Sequence, residues 1–371
     1  MKKKITVIEG DGIGPEVTQQ AIVVLNAVAQ TRGHEFEYDY CMMGACAIEA
    51  TGEPLPDATI ESCNKADAVL LGAIGHPKYD NNPSAKVRPE QGLLKLRKSL
   101  QLFANIRPVN IFPALGHLSP LKEEKLRHVD FIIFRELTGG IYFGEKKVDE
   151  AKTLASDLCT YSKEEIERVA KLAFEYAQIR NKRLTLVDKA NVLETSRLWR
   201  HVVRGMEAQY PDVKVDYMFV DNAAMQLLVN PKQFDVLLTE NMFGDILSDE
   251  ASVLSGSLGL LPSSSIGTGT ALFEPIHGSY PQAAGKNIAN PVGSILSSAM
   301  MLDHFGLHEE ANAVKEAVRW AIQSGYVTQD INAMHHYTTT QVGMVVADHV
   351  TGIKVSKYTS QNQELGQSTI I

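Results

Sequence analysis

Residues 9–17 read EGDGIGPEV, and how this stretch is read decides the fold. It follows the β-branched run KITVIEG and precedes a segment with helical apolar spacing, so a strand enters it and a helix leaves it. Gly10, Gly12 and Gly14 invite comparison with the dinucleotide fingerprint G-x-G-x-x-G, but the third glycine of that pattern falls on Pro15. Proline suits the first residue of a helix, where its missing N–H removes nothing. The stretch is therefore expected to be a tight strand-to-helix turn, and any dinucleotide must bind elsewhere.

Beyond the turn, the runs ADAVLLGAIG, DFIIFREL, KRLTLVDK, VKVDYMFVD and FDVLLTE alternate with longer segments of helical period, the pattern of an α/β protein. A chain of 371 residues calls for two lobes or one large α/β domain. A hydrophobic fraction of 44% and 22% charged residues are those of an ordinary globular protein. A net charge of −8 argues against a protein that tracks nucleic-acid phosphates. The basic start MKKK is followed by too short an apolar run for a signal peptide, and no 18-residue apolar run exists. Cys41, Cys46, Cys63 and Cys159 form no C-x-x-C pair, so reduced thiols and a cytoplasmic location are expected, with no membrane or nucleic-acid partner.

The segment SKEEIERVAKLAFEYAQIR predicts a helix with a Ser162/Glu165 capping box and an apolar stripe of Ile166, Val169, Ala170, Ala173 and Phe174. Residues 138–161, TGGIYFGEKKVDEAKTLASDLCTY, break the alternation and read as a protruding hairpin or arm. The polar tail after Ser356 is expected to be disordered.

Charged residues at element ends mark the candidate site. In NMFGDILSDE (241–250), Asp245 and Asp249 fall i,i+4 on one helical face, where like charges repel unless something offsets them. Two converging carboxylates suit a hard divalent cation; a solvated acidic face is the alternative, and an N-cap role could account for Asp245 alone. Asp221 ends a strand and could be an N-cap or a ligand. Lys189, also at a strand end, could be a surface charge or a base. Arg97, Arg107 and Arg135 lie at edges of apolar elements, and three guanidinium forks would suit a small polycarboxylate.

The blocks RPEQGLLKLRK, LFANIRP, RELTGGIYFG, DKANVLE, NMFGDILSDEASVLSGSLGLLPS and FEPIHGSYPQAAGKNIANP give the chain its closest likeness. In their order and spacing it resembles the β-decarboxylating dehydrogenases, the family of isopropylmalate and isocitrate dehydrogenases, from GDGIGPE to about residue 350. The resemblance implies a two-domain α/β fold with a non-Rossmann dinucleotide site and an active site in the interdomain cleft. Its first, cofactor-binding domain would comprise residues 1–103 and 256–371, and its second 104–255, with a dimerisation arm at about 138–160. It implies Asp221, Asp245 and Asp249 as Mg²⁺ or Mn²⁺ ligands and Arg97, Arg107 and Arg135 as the grip on the substrate carboxylates. Lys189 would accept the hydroxyl proton and Tyr142 would protonate carbon after carbon dioxide leaves.

NAD would lie on HGSYPQAAGKNIAN and beside HPKYDNNPSAKVRPE, with Pro77, Glu90, Glu274, His277, Gly278, Ser279, Tyr280, Pro281, Gln282 and Asn290 as contacts. A homodimer is implied in which Lys189 and Asp221 reach across to the partner. NAD-dependent members commonly carry Asp at the position of Gln282, whereas NADP-dependent ones place Lys and Tyr at Gln282 and Ala283, so NAD remains the expected cofactor. Glu90, Leu93 and Leu94, a turn or two before Arg97, would meet the group on C3, which favours 3-isopropylmalate over isocitrate, homoisocitrate, tartrate or malate. The alternatives are a core role for both leucines and a non-catalytic carboxylate-binding protein; the latter would need neither Tyr142 nor Lys189.

Overall fold

The structure, a computed structural model, describes residues 1–80, 85–353 and 361–362. Part of the segment HPKYDNNPSAKVRPE, and the polar tail apart from Gln361–Asn362, lie outside the described residues; those two pair antiparallel with His335–His336. Two compact units are present, one of Met1–Leu96, Ser257–Ser263 and Leu272–Ile371, the other of Arg97–Gly256 and Ser264–Ala271. Residues 97–103 and Ser264–Ala271 go with the second unit because the strand Leu102–Asn110 hydrogen-bonds to Asp130–Glu136 on one side and to Ser264–Gly267 on the other.

In the first unit the strands run parallel in the order Glu35–Tyr40, Lys2–Gly10, Ala68–Ala73, Leu272–Pro275. Ala68–Ala73 is buried throughout, as a parallel strand covered on both faces must be, and its AVLLGA sequence has no polar alternation. The turn after the first strand leads directly into the helix Gly14–Arg32, so Pro15 is its second residue rather than its first.

In the second unit Leu102–Asn110 pairs antiparallel with Asp130–Glu136, and Val236–Thr239, Arg183–Asp188 and Lys214–Phe219 follow in parallel. Phe131, Ile133, Val109 and Leu237 form the core with Leu247, Ala251 and Leu254 from the segment after Val236–Thr239. The helix Lys163–Ile179 carries both halves of its capping box and buries all five residues of the expected stripe. Ser162→Ala should cost about 1 kcal/mol of stability, the usual worth of an N-cap hydroxyl, measured as a lower urea midpoint with an unchanged m-value. The arm is a hairpin of Lys146–Val148 and Ala155–Asp157 with every strand residue exposed. The four cysteines are free, and no helix among the described residues is long and apolar enough to cross a membrane.

Candidate active site

Parallel strands deliver the site residues at their carboxyl ends, where α/β sheets present ligand groups. Arg135 is the penultimate residue of its strand, Asn241 opens the helix after Val236–Thr239, Lys189 follows Arg183–Asp188, and Asp221 follows Lys214–Phe219. Asn105 lies opposite Arg135 in the antiparallel register, and Arg107, two residues on, shares its face.

The helix Asn241–Ser252 lies on that face and explains the opening pattern of its sequence. Leu247 and Ala251 point into the core, leaving Asn241, Asp245, Ser248 and Asp249 toward the arginines. Glu240, not Asp245, is the N-cap: its carboxylate accepts the Phe243 N–H at 2.9 Å. The close approach requires Gly244, because a Cβ there would stand 2.6 Å from Arg135 Cγ.

Arg135 Nη1 donates to Asp245 Oδ1, while its Nε and Nη2 donate to Asn241 Oδ1 at 3.0 and 2.8 Å. Arg107 Nη1 donates to Ser248 Oγ at 2.6 Å and Asp249 Oδ1 at 3.1 Å, and its Nε donates to Asn105 Oδ1 at 2.7 Å. Tyr142, in a single 3₁₀ turn at the base of the arm, donates its hydroxyl to Asp245 Oδ2 at 2.6 Å. That turn is anchored by buried Glu136, whose carboxylate accepts the N–H groups of Thr138 at 2.9 Å and Gly139 at 2.7 Å.

Electrostatics follow from this packing. Burial pushes Arg135 down to about 10, with Arg107 and Arg97 adding to the fall and Asp245 opposing it; the guanidinium remains charged at neutral pH. Burial works against ionisation of Asp245, but Arg135, the Tyr142 hydroxyl and Arg107 outweigh it and hold the carboxyl below its ordinary range. Burial, then the hydrogen bond to Asp245, raises Tyr142, so the phenol keeps its proton at neutral pH.

Lys189 and Asp221 form a separate pair, with Nζ donating to Asp221 Oδ1 at 2.7 Å. Asp221 lies within the first turn of the helix Val220–Val229, whose cap position is Phe219, so it is not the N-cap; the Lys189 hydrogen bond holds its carboxyl low. Among the described residues no three His, Cys, Asp or Glu side chains group as a metal site within one chain.

The expected cofactor contacts lie in the first unit. Glu274, Ser279 and Asn290 are buried, while Gly278, Tyr280 and Gln282 are exposed and His277 and Pro281 are intermediate. Pro77 begins a short helical turn after Ala68–Ala73. In the helix Pro89–Ser99 the core leucine is Leu96; Leu94 is 38% exposed and Leu93 intermediate, which removes the alternative that both belong to the core. Sequence reasoning missed Asn105, Asn241 and Ser248. Asn241 and Ser248 share the helical face of Asp245, a spacing that would have found them.

The chain belongs to the isocitrate/isopropylmalate dehydrogenase family, whose profile matches residues 4–346. It is 53% identical over 352 residues to the 3-isopropylmalate dehydrogenase of Bacteroides fragilis, covering 94% of this chain and 99% of that one. It is 51% identical to the 3-isopropylmalate dehydrogenase of Bacillus subtilis, covering 98% of this chain and all of that one. Among solved structures, the isocitrate dehydrogenase of Methylococcus capsulatus superimposes with a TM-score of 0.84 at 37% identity, over 94% of this chain and 99% of that one. A β-decarboxylating dehydrogenase from Thermococcus kodakarensis gives 0.78 at 36% identity, over 94% and 96%.

Proposed function

We propose that the protein catalyses oxidative decarboxylation of (2R,3S)-3-isopropylmalate to 4-methyl-2-oxopentanoate and carbon dioxide with reduction of NAD, a step of leucine biosynthesis. The observation that carries this reading is the convergence of Arg107, Arg135 and Tyr142 on the carboxylates of Asp245 and Asp249. The relatives named 3-isopropylmalate dehydrogenase support the choice of substrate.

The donor set fits a hard cation. Asp245 and Asp249 offer carboxylate oxygens from one helical face, and Asp245 is held ionised. These two, with Asp221, would hold Mg²⁺ or Mn²⁺. Bound there, the metal would supply Lewis acidity toward the substrate oxygens, and NAD would supply the hydride acceptor for oxidation at C2.

Everything else falls to the chain. Arg97, Arg107 and Arg135 hold the two substrate carboxylates in planar, bidentate fashion and fix C2. Lys189 Nζ takes the hydroxyl proton as C2 is oxidised, leaving a β-keto acid that loses carbon dioxide. Tyr142 Oη, still protonated at neutral pH, then delivers a proton to C3. Lys189 and Asp221, which pair with each other at 2.7 Å, would on the family resemblance serve the active site of the partner in a homodimer.

NAD is the proposed cofactor, since Gln282 and Ala283 bring no cation to a 2′-phosphate while Gln282 can hydrogen-bond a ribose hydroxyl. We expect kcat/KM for NAD to exceed that for NADP by at least about tenfold, and Gln282→Asp to widen the gap by repelling the phosphate. Equal values for the two cofactors in the unmodified protein would contradict this. The function is tested by following NADH formation on a panel of 2-hydroxy diacids with Mg²⁺ or Mn²⁺. No turnover of 3-isopropylmalate with either ion would overturn the reading.

A further inference from the structure

The glycine turn that fails as a dinucleotide fingerprint has another use. Gly10 and Gly12 both have positive φ, and a Cβ on either would stand 2.0 Å from a carbonyl oxygen, that of Ala73 for Gly10 and that of Ser279 for Gly12. The turn is thus wedged between the exit of the strand Ala68–Ala73 and the segment His277–Ala283. Backbone bonds tie it to both: Asp11 N–H to Ala73 O at 2.7 Å and Ile13 N–H to Ser279 O at 2.8 Å.

Between the two glycines, Asp11 is 5% exposed and faces inward. Its Oδ2 accepts the N–H of Ala45 at 2.9 Å and of Gly75 at 3.0 Å, and its Oδ1 accepts the N–H of Cys46 at 3.0 Å. The helix Ala45–Thr51 has no side-chain cap of its own, so this carboxylate satisfies its first donors from a distance. Gly75 is the point where the proposed cofactor contacts converge: its φ is +128°, and a Cβ there would lie 3.1 Å from Glu90 Oε1 and 3.6 Å from Ser279 Oγ.

We infer that Asp11 is a positioning residue for the dinucleotide: by holding the Gly75 N–H it sets the loop between Ala73 and Pro77 against Ser279 and Glu90, and so shapes the NAD site. The inference rests on the proposed placement of NAD along Pro77, Glu90 and His277–Asn290. The carboxylate touches no substrate group of the arginine cluster, so its loss acts on cofactor affinity.

The test uses Asp11→Asn and Asp11→Ala, with NADH binding measured by fluorescence titration of the full-length protein alongside steady-state kinetics. Asp11→Ala should raise the NADH dissociation constant and the KM for NAD about tenfold, the lower end of what a charge-assisted hydrogen bond is worth, with kcat within about twofold. Asn keeps one acceptor oxygen and can serve Ala45 and Gly75 together, so Asp11→Asn should recover most of the affinity and provides a folded variant if the alanine chain does not fold. If the unmodified protein binds NADH and Asp11→Asn and Asp11→Ala bind it equally well, or if Asp11→Ala lowers kcat and Tm alone, the inference falls while the proposed function stands. If Asp11→Ala does not fold and Asp11→Asn binds no better than about tenfold below the unmodified protein, the predicted rescue fails and the inference falls. If the unmodified protein binds no NADH, the proposed cofactor site itself falls.

Discussion

Asp245→Asn is expected to lower kcat/KM for 3-isopropylmalate by at least about a thousandfold, the upper range for removing one charged group that meets the reacting centre. The asparagine keeps the shape but gives up the charge that makes a hard-cation ligand, so saturation with Mg²⁺ or Mn²⁺ should shift to much higher concentration. It also leaves Arg135, 5% exposed, without its anionic partner. Arg135 retains Asn241 and Asp245 is 35% exposed, so the structural cost is about 1–2 kcal/mol, a fall of a few degrees in Tm. A large activity loss with a small Tm change is the signature sought; full activity at ordinary metal concentration would return Asp245 to a solvated face. The same variant tests the dimer. Mixed with equally inactive Lys189→Met, half of the randomly formed dimers pair the two variants, and each such dimer holds one intact site. About a quarter of the native activity should therefore return after unfolding and refolding the mixture. No recovery would show that Lys189 serves its own chain.

Much of this site is legible in the sequence. Spacing alone put Asp245 and Asp249 on one helical face, and strand patterning put Lys189, Asp221 and Arg135 at strand ends, because period and punctuation are local properties of the chain. Pairing is not local. Arg107 meets Asp249 across 142 positions and Tyr142 meets Asp245 across 103, and nothing in either segment names its partner. The roles of acid, base and ligand came from resemblance, not from periodicity. Where local rules misled, a neighbour had taken the job: Glu240, not Asp245, caps the helix, and Asp221 yields the cap position to Phe219 and spends its carboxylate on Lys189. Asp11 shows the opposite failure. Its three backbone partners lie 34, 35 and 64 positions away, so a residue that reads as ordinary turn chemistry becomes a brace only in three dimensions.

Isocitrate should be rejected by at least about a hundredfold in kcat/KM relative to 3-isopropylmalate, since a site that leaves a charge unpaired discriminates far better than one that misses a methylene. The argument rests on the helix Pro89–Ser99, where Glu90 and Leu94 stand i,i+4 and Arg97 follows one turn later. The only buried leucine of this turn is Leu96, which frees Leu94, at 38% exposure, to meet a ligand. If Arg97 holds a carboxylate, as proposed, the C3 substituent would come against Leu94 and Leu93. An isopropyl group gains about 0.8 kcal/mol for each carbon buried there. The carboxymethyl group of isocitrate would instead bring a third negative charge against two leucines and Glu90, at a cost of several kcal/mol. Malate, which lacks the branch altogether, loses the contact but meets no repulsion, so its kcat/KM should fall between the two. Leu94→Ser should narrow the gap between 3-isopropylmalate and malate by removing apolar contact while leaving isocitrate poor, because Glu90 stays in place. Steady-state kinetics of the unmodified protein and this variant on the three substrates decide the matter: isocitrate turning over as fast as 3-isopropylmalate would remove the leucine turn from the specificity pocket.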